Sequence, residues 1–502
     1  MANFPTSCRR FALVAALLLP GLLVALSGCD LSPTTGGDAQ SDQPKIVTPP
    51  PTDPVRLLII DDAPLAEAIQ REWLGHAASP LDVVQKTTAE FETEHILGDA
   101  PLDADAVIYP AGLIGELAER ELIEPLPEST VDSQELARAD LLALLRLHET
   151  MWGERMMAAP LGSPQLMLMV RADLLEKLEA QPPQTWQEYQ QLAERLADRD
   201  ALGDAVSSDG PWYGVVEPLG DGWASQMLLA RAAPYARRRN RYSTLFDYLS
   251  MKPYIDQEPF VRALEELAAA AKLGPKDAVT MTPHDARREL LRGRAAMAVC
   301  WPTHALGEGD DALIEAVRFP VRFAELPGSE QVFDFRGAWH SRTDDEDRRV
   351  PLLSVAGRMG SVVKDSPRRL TAARVLSWLS SQKENATHEI SPSSKATTLY
   401  RSSQLGNPPI WIDEALDGGA ADSYREVTTQ THLRVTPLFS VRIPGRGRYL
   451  AALDEAVHAV IAGEKKADAA LREAAAKWEE ITDSIGRDMQ RDAYQRSLGI
   501  EP

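Results

Sequence analysis

The sequence predicts an α/β fold built in two lobes, and three observations predict it. Short apolar strands alternate with amphipathic helical patterns along the first part of the folded region, the pattern of a sheet covered by helices. About 450 residues follow residue 54, more than a single hydrophobic core organises. Capping boxes, prolines and glycines mark where helices start and stop and keep each element short. Two lobes need not be two contiguous segments.

Two segments of other kinds come first. Arg9 and Arg10, with no acidic neighbour, lead into an apolar run from Phe11 to Leu26, the layout of a secretory signal peptide. The run closes on Leu26-Ser27-Gly28-Cys29, which resembles the bacterial lipobox. That resemblance implies removal of residues 1–28 and a lipid anchor on Cys29, on the extracytoplasmic side of the cell envelope; the alternative is an ordinary signal peptide with a chance cysteine. Asp30 stands where an Asp favours retention at the inner membrane of bacteria. Residues 29–54 are rich in Ser, Thr, Gly, Asp and Pro and end in Pro49-Pro50-Pro51, so they read as an extended tether. No later apolar run is long enough to span a membrane.

Composition narrows the function. Cleavage after residue 28 removes two of the 53 basic residues and none of the 74 acidic ones, which takes the formal charge from −21 to −23 and disfavours nucleic acid as a partner. Of three cysteines, Cys8 lies in the signal and Cys29 carries the lipid. Cys300 is then left without a partner, and a monomer has no disulfide framework.

The elements follow in order. Val55 to Ile60 is an apolar strand, then Leu65, Ile69 and Trp73 fall four apart on a helix stopped by Gly75. Leu81 to Val84 and Ala106 to Tyr109 read as further strands of a parallel sheet, and Tyr109-Pro110-Ala111-Gly112 leads into a helix carrying Ile114, Leu117 and Ala118. Thr185 and Glu188 form a capping box, and Tyr189, Leu192, Ala193 and Leu196 make the apolar stripe of the helix it opens. Thr282-Pro283-His284-Asp285 starts another helix, ending at Gly293, and Ala295 to Cys300 is a buried strand. Helices are predicted at Val261–Lys272, Pro367–Leu379 behind a Ser366 cap, Tyr449–Ala462 and Asp468–Ile485. The tract Glu330 to Val350 reads as a solvated loop, and Arg237 to Arg241 as a solvated face rather than an anion site.

Several passages, in this order, resemble the extracellular solute-binding family that serves ABC-type carbohydrate importers and includes maltose-binding proteins. Asp103-Ala-Asp-Ala-Val-Ile-Tyr109 with Gly115-Glu-Leu-Ala118 and Leu122-Ile-Glu-Pro-Leu126 resembles its aspartate-strand passage followed by L-A-x-x-G-x-L-x-P-L. Met157-Ala-Ala-Pro160 through Met169-Val-Arg-Ala-Asp173-Leu resembles the G-x-P, strand, Y-N-K-D-L passage, with Val170-Arg171 in place of Tyr-Asn. Pro183-Gln-Thr-Trp186 resembles the helix start that follows, Gly293-Arg-Ala-Ala-Met297-Ala-Val-Cys-Trp301 the G-K-A-A-M strand ending in Trp, and Ala451 to Gly463 the closing helix. The chain is longer than typical members around Tyr235–Tyr254 and Glu330–Val350.

The resemblance implies a periplasmic-binding-protein-like fold: two discontinuous α/β lobes joined by a hinge of crossing segments. Lobe one is expected at 55–163 plus 357–395, and lobe two at 164–356 plus 396–500. It implies a monomeric substrate-binding component that closes on a small solute, a sugar or oligosaccharide, and presents it to permease subunits. A lipid-anchored sensor or adhesin without transport is the alternative. Sugar recognition needs flat aromatic faces and planar polar side chains, so the ligand candidates are Trp301, Tyr109, Asp61, Asp62, Ser163, Trp223, Trp339, Arg336, Arg446 and Tyr449. Trp301 ends the Ala295–Cys300 strand where family members place a stacking ring; a core Trp is its other reading. Tyr109 ends a strand at the cleft edge or packs a helix entry, and Asp61 and Asp62 bind hydroxyls or cap the next helix. Ser163 lies at the first crossing. Trp223 sits in a Gly-containing loop, Trp339 and Arg336 flank Gly337 before the second crossing, and Arg446 and Tyr449 begin the closing helix.

The rival class, a secreted hydrolase, lacks its motifs. There is no G-x-S-x-G elbow, and neither His148-Glu149 nor His388-Glu389 extends to H-E-x-x-H. Ser361-Val-Val-Lys364 matches S-x-x-K without its companion motifs, and Cys300 lies in an apolar strand, where a thiol packs as a small hydrophobe. No catalytic residue, metal or organic cofactor is indicated.

Overall fold

The computed structural model describes residues 53–502 apart from 74–79, 208, 240, 242, 303–309, 344–345, 395–396, 407–410 and 413–415. The signal segment, Cys29, nearly all of the tether, Gly75 and the third crossing at 395–396 therefore lie outside the described residues. Residues 52–502 form one compact unit. No helix among the described residues is long and apolar enough to cross a membrane.

Strand β1 (Val55–Ile60) leads through α1 (Ala63–Trp73) to β2 (Leu81–Lys86) and β3 (Ala106–Tyr109), then α2 (Ile114–Glu119), β4 (Ile123–Glu124) and β5 (Ala159–Gly162). After residues 163–166 come β6 (Met167–Arg171), α3 (Trp186–Ala197), β7 (Tyr213–Val216), α4 (Ala224–Ala236), α5 (Glu258–Ala271), α6 (Pro283–Leu291), β8 (Ala295–Cys300) and β9 (Val321–Ala324). A hairpin of β10 (Gln331–Phe333) and β11 (Trp339–Ser341) precedes β12 (Leu352–Leu353), β13 (Arg358–Val363) and α7 (Arg369–Leu379). The C-terminal part holds α8 (Gly418–His432), β14 (Leu438–Phe439), α9 (Arg446–Ile461), α10 (Ala467–Ile485) and α11 (Arg487–Ser497).

The first sheet has the order β2-β1-β3-β13-β4, with β5 also on β13. The second has the order β9-β6-β8-β7. Both are mixed, where alternation of strand and helix suggested parallel strands. In the first, β1, β2 and β3 are parallel as expected, but β13 runs against β3 because the chain re-enters this sheet after building the second one. In the second, β8 pairs β7 in parallel and β6 in antiparallel fashion.

Most predicted elements are present, and their sequence logic holds. In α1, Leu65, Ile69 and Trp73 are buried. The α3 capping box is complete: Glu188 N donates to Thr185 Oγ1 at 3.2 Å, and Thr185 N donates to Glu188 Oε2 at 3.3 Å, an arrangement worth about 1 kcal/mol. Helix α7 begins at Arg369 rather than Pro367, because Ser366 Oγ receives Arg368 N and donates to Asp105 as a turn, not a helix cap.

Two further expectations are corrected, and the role of a third region emerges. The 330–350 tract contains the β10–β11 hairpin, whose Phe333 and Trp339 rings pack together at 5.3 Å. The arginines after α4 are not a solvated face throughout: Arg237 and Arg241 are half-buried, donating to the carbonyls of Pro437 and Ser243, and Arg241 lies over the Tyr254 and Phe335 rings. The longer 235–254 region anchors on the C-terminal helices. Phe246 stacks on Trp478 at 4.8 Å, and Tyr494 Oη accepts Leu245 N at 3.3 Å.

Candidate functional site

Strand direction brings most candidate residues to two facing sheet edges. In the first sheet β1 and β3 run toward Asp61 and Pro110, while β13 starts at that same edge, with Met359 opposite Tyr109. Strand β5 ends there as well, with Gly162 opposite Arg358. In the second sheet β8 runs toward Trp301, and Cys300 stands opposite Met167, the first residue of β6. Residues 163–166 join Gly162 to Met167, and five extended residues reach at most about 18 Å. The edge carrying Asp61, Tyr109 and Ser163 therefore adjoins the edge carrying Trp301.

The first edge is closed on itself. Asp62 is fully buried; its Oδ2 accepts from Arg358 Nε at 2.7 Å and Ser394 Oγ at 2.6 Å, and its Oδ1 accepts from Leu65 N at 3.2 Å. Its carboxylate is committed to a buried ion pair and a helix start rather than presented to a solute. Tyr109 is equally buried, with its hydroxyl 2.8 Å from Ser361 Oγ, and burial pushes its phenol well above the ordinary value. Asp61 is exposed at a φ of 56°, a backbone turn that swings its side chain out of the strand; its carbonyl accepts from Arg358 Nη2.

Ser163 is buried beside a residue the sequence did not single out as functional. Glu149 is fully buried, and its Oε1 accepts Ser354 N at 2.6 Å. Burial raises its carboxyl, while the hydroxyl of Ser163, the Ser354 backbone and Arg442 pull it down. Ser163 belongs to one crossing between the sheets and Ser354 to another, so one carboxyl is bonded to the second and lies beside the first.

The second edge is aromatic. Trp223 and Trp301, far apart in sequence, meet edge to face with centroids 5.5 Å apart and planes at 78°. Trp301 is 3% exposed, so it backs the pair, whereas Trp223, at the start of α4, is the half-buried ring with a face to offer. Asp454 of α9 holds that helix start in place, accepting Gly222 N at 2.8 Å and Ser225 N at 2.7 Å.

Arg446 packs against the turn that leads into α2. Two glycines permit this: a Cβ on Gly112 would lie 2.4 Å from Arg446 Nε, and one on Gly115 would lie 2.0 Å from the Arg442 carbonyl oxygen. Gly445 N donates to Glu116 Oε2 at 2.7 Å, and Arg496 Nη1 reaches both Glu119 oxygens at 2.6 Å. Arg446 Nε is buried without a hydrogen-bond partner, and burial holds the guanidinium down to about 10 against the pull of Glu92 and Asp454. Glu92 is itself raised by burial and Glu116 and lowered by Arg446. Glu92 carried no periodic or motif signal, and Gly112 and Glu116 were legible only as parts of a helix entry and of a family passage, not as site residues.

Three candidates stand elsewhere. Trp339 packs on Tyr235 at 6.0 Å and donates to Glu258 Oε2 at 2.7 Å. Tyr235 lies twelve residues along α4 from Trp223, a separation of about 18 Å at 1.5 Å per residue. Trp339 thus braces the far end of α4, because the tract that carries it folds as a hairpin rather than a loop at the crossing. Arg336 is exposed in that hairpin's turn, its N–H on Asp334 Oδ1. Tyr449 is a core residue of α9, with its hydroxyl 2.9 Å from Thr482 Oγ1 and its ring against Phe246 and Trp478.

The nucleophile candidates are placed for packing. Ser361 Oγ is fully buried and donates to the Met157 carbonyl, while Lys364, three residues on, is bonded to Glu121. Cys300 is buried, and burial pushes its thiol up to about 12.

The model of the bacterial extracellular solute-binding protein family matches residues 81–351, more than half of the chain. The chain belongs to that family. The family's name places this solute-binding protein outside the cytoplasm and among proteins that bind rather than transform. Solved structures share its fold. An ABC-transporter solute-binding protein from Agrobacterium radiobacter K84, in complex with ribitol, is 19% identical with a TM-score of 0.62, over 85% of this chain and 98% of that one. One from Agrobacterium vitis S4 with bound D-mannitol is 16% identical with a TM-score of 0.60, over 86% and 99%. A maltose-bound T. maritima protein is 17% identical with a TM-score of 0.59, over 85% and 99%. A search of curated proteins finds no match.

Proposed function

We propose that this solute-binding protein captures a polyol or sugar between the two sheet edges and delivers it to ABC permease subunits from a lipid anchor on Cys29. The observation that carries the reading is the Trp223–Trp301 pair, assembled from distant segments beside the crossings that join the sheets. A polyhydroxylated solute presents C–H faces to an aromatic ring and hydroxyls to planar polar groups. Trp223 supplies the face; Asp61, Glu92 and Arg446 supply the polar groups. Ribitol, mannitol and maltose in the structural neighbours favour the same solute class.

The lobes of this reading are 55–163 plus 357–395 and 164–356 plus 396–500. Residues 163–166 and 354–357 act as hinge strands, with Glu149 bonded to Ser354 and beside Ser163. A solute that touches both lobes stabilises closure by its differential affinity for the closed form. Tyr109, Asp62 and Ser163 then shape the frame of the cleft, and Trp339, Arg336 and Tyr449 lie outside it.

A thermal-shift screen of the full chain in detergent against pentitols, hexitols, mono- and oligosaccharides and amino acids tests this. A solute at a hundred times its dissociation constant adds about 2.7 kcal/mol of stability. A shift with one polyol or sugar class is the expected result; a well-folded sample that responds to amino acids alone contradicts it.

A further inference from the structure

The turn that carries Trp223 has little of its own to hold it. Residues 217–223 join β7 to α4, and two glycines flank Asp221. Gly222 has a φ of 79°, a left-handed backbone that glycine adopts freely, and a Cβ on Gly220 would lie 2.9 Å from the Met281 carbonyl oxygen. Trp223 stands at the N-cap of α4. An indole donates only, so it cannot accept from the first amides of the helix. A Ser, Asp or Asn at this position would satisfy those amides locally; a Trp capped from a distance frees the position for a ring.

The acceptors come from another helix. Asp454 of α9 is 6% exposed, and its Oδ2 accepts Gly222 N at 2.8 Å while its Oδ1 accepts Ser225 N at 2.7 Å, so the two bonds bracket Trp223. One turn further along α9, His458 Nε2 lies 2.6 Å from the Leu219 carbonyl oxygen. A carbonyl accepts only, so the imidazole donates there and carries a proton on Nε2. Two side chains of one helix thus grip residues 219–225 at three backbone points. On the other side of the turn, Leu219 N donates to the Ala278 carbonyl at 3.0 Å and Gly220 N to the Met281 carbonyl at 2.9 Å. Burial raises the Asp454 carboxyl, and the Ser225 and Gly222 amides together with His458 pull it back down.

The same helix carries Arg446. It lies eight residues before Asp454, about 12 Å along the axis at 1.5 Å per residue, and Asp454 acts on its guanidinium through space. One rigid helix therefore fixes both the turn that bears the ring and the spacing of that turn from the Arg446 cation. We infer that Asp454 and His458 are positioning residues for solute recognition: they set the direction of the Trp223 ring and, through α9, its distance from Arg446, without touching the solute themselves. The inference rests on the reading of Trp223 as the ring on which a polyol or sugar packs. An aromatic anchor contributes only while its face is aligned with the C–H surface it meets, so loosening the turn weakens binding even where the fold survives.

Isothermal titration of the full chain in detergent with ribitol, D-mannitol and maltose tests this, and the wild type is expected to bind at least one of them. Asp454→Asn keeps the shape of the side chain but leaves one of the two amides without its acceptor. It should weaken binding about threefold to tenfold, part of the loss of about thirtyfold that removal of the ring costs. Because Asp454 acts through the ring, the same change in a Trp223→Ala background should weaken binding by no more than about twofold. The second set of variants is at His458: His458→Leu should lose about threefold, and His458→Gln, whose amide can donate to the Leu219 carbonyl, should restore wild-type affinity. With fluorotryptophan in the chain, the fluorine resonance missing from Trp223→Phe identifies Trp223; it should shift or broaden in Asp454→Asn and His458→Leu with no solute present. The inference is overturned if folded Asp454→Asn and His458→Leu bind as the wild type does while Trp223→Ala binds more weakly, if the Trp223 resonance is unchanged in both, or if Asp454→Asn weakens the Trp223→Ala background as much as it weakens the wild type. Unchanged affinity in Trp223→Ala, or no binding of any of the three solutes, overturns the solute reading itself and this inference with it.

Discussion

The two sheet edges meet across the same short crossings yet are built in opposite ways. At the first, Asp62, Arg358, Ser394, Tyr109 and Ser361 satisfy one another and leave little for a solute. At the second, Trp301 is buried and its edge-to-face partner Trp223 is half-buried. The difference teaches a division of labour. One edge is a rigid frame that fixes where the strands end, and the other is a surface whose packing is completed by what binds. Buried charge pairs suit the first role because they tolerate little displacement, and aromatic faces suit the second because they accept many orientations.

The largest expected effect breaks the frame. Arg358→Ala removes the buried cation that donates to Asp62 Oδ2, and should cost about 3–5 kcal/mol in urea unfolding; a loss below 1 kcal/mol would mean that the other partners of Asp62 already serve this edge. The next effect concerns a contact between segments far apart in the chain. His432 accepts Leu144 N at 3.3 Å, and burial lowers it from 6.5 to about 3. The unfolded chain therefore takes up the proton first. Stability from this group is full above pH 6.5 and is lost as pH falls from there toward 3, by up to about 1.4 kcal/mol per pH unit. His148, held at about 4, adds to the same window. His432→Gln should flatten the fall of unfolding free energy between pH 6.5 and 4.5, and an unchanged slope would assign the acid sensitivity elsewhere. The smallest effect lies at the start of α3: Thr185→Ala removes its cap and should cost about 1 kcal/mol while leaving solute affinity untouched.

Much of this fold was legible in the sequence because its elements are half-buried and so periodic. Helix α3 shows its stripe and its capping box, and β1, β3 and β8 show apolar runs closed by turn residues. Helix α4 was illegible for the opposite reason: every residue from Ala224 to Ala236 is buried, so no stripe exists, and Pro234 argued against a helix. The site was legible only in part. Trp301 and Trp223 were readable as aromatics near strand and helix ends, but which of the two keeps an open face depends on packing between segments far apart in the chain. Trp339 looked equivalent in sequence, yet a hairpin carries it to the far end of α4. Glu149 was legible only as part of an incomplete H-E-x-x-H pair, and its place beside Ser163 and Ser354 comes from packing that no local pattern shows.

The most direct test of the account measures how tightly the solute identified by the thermal screen binds to the wild type, Trp223→Ala and Trp339→Ala. Loss of an aromatic anchor from a desolvated contact costs about 2 kcal/mol or more, close to thirtyfold in affinity. The account predicts that loss for Trp223→Ala and unchanged affinity for Trp339→Ala. Equal affinity in wild type and folded Trp223→Ala, or a loss confined to Trp339→Ala, would contradict the placement of the solute between the sheet edges.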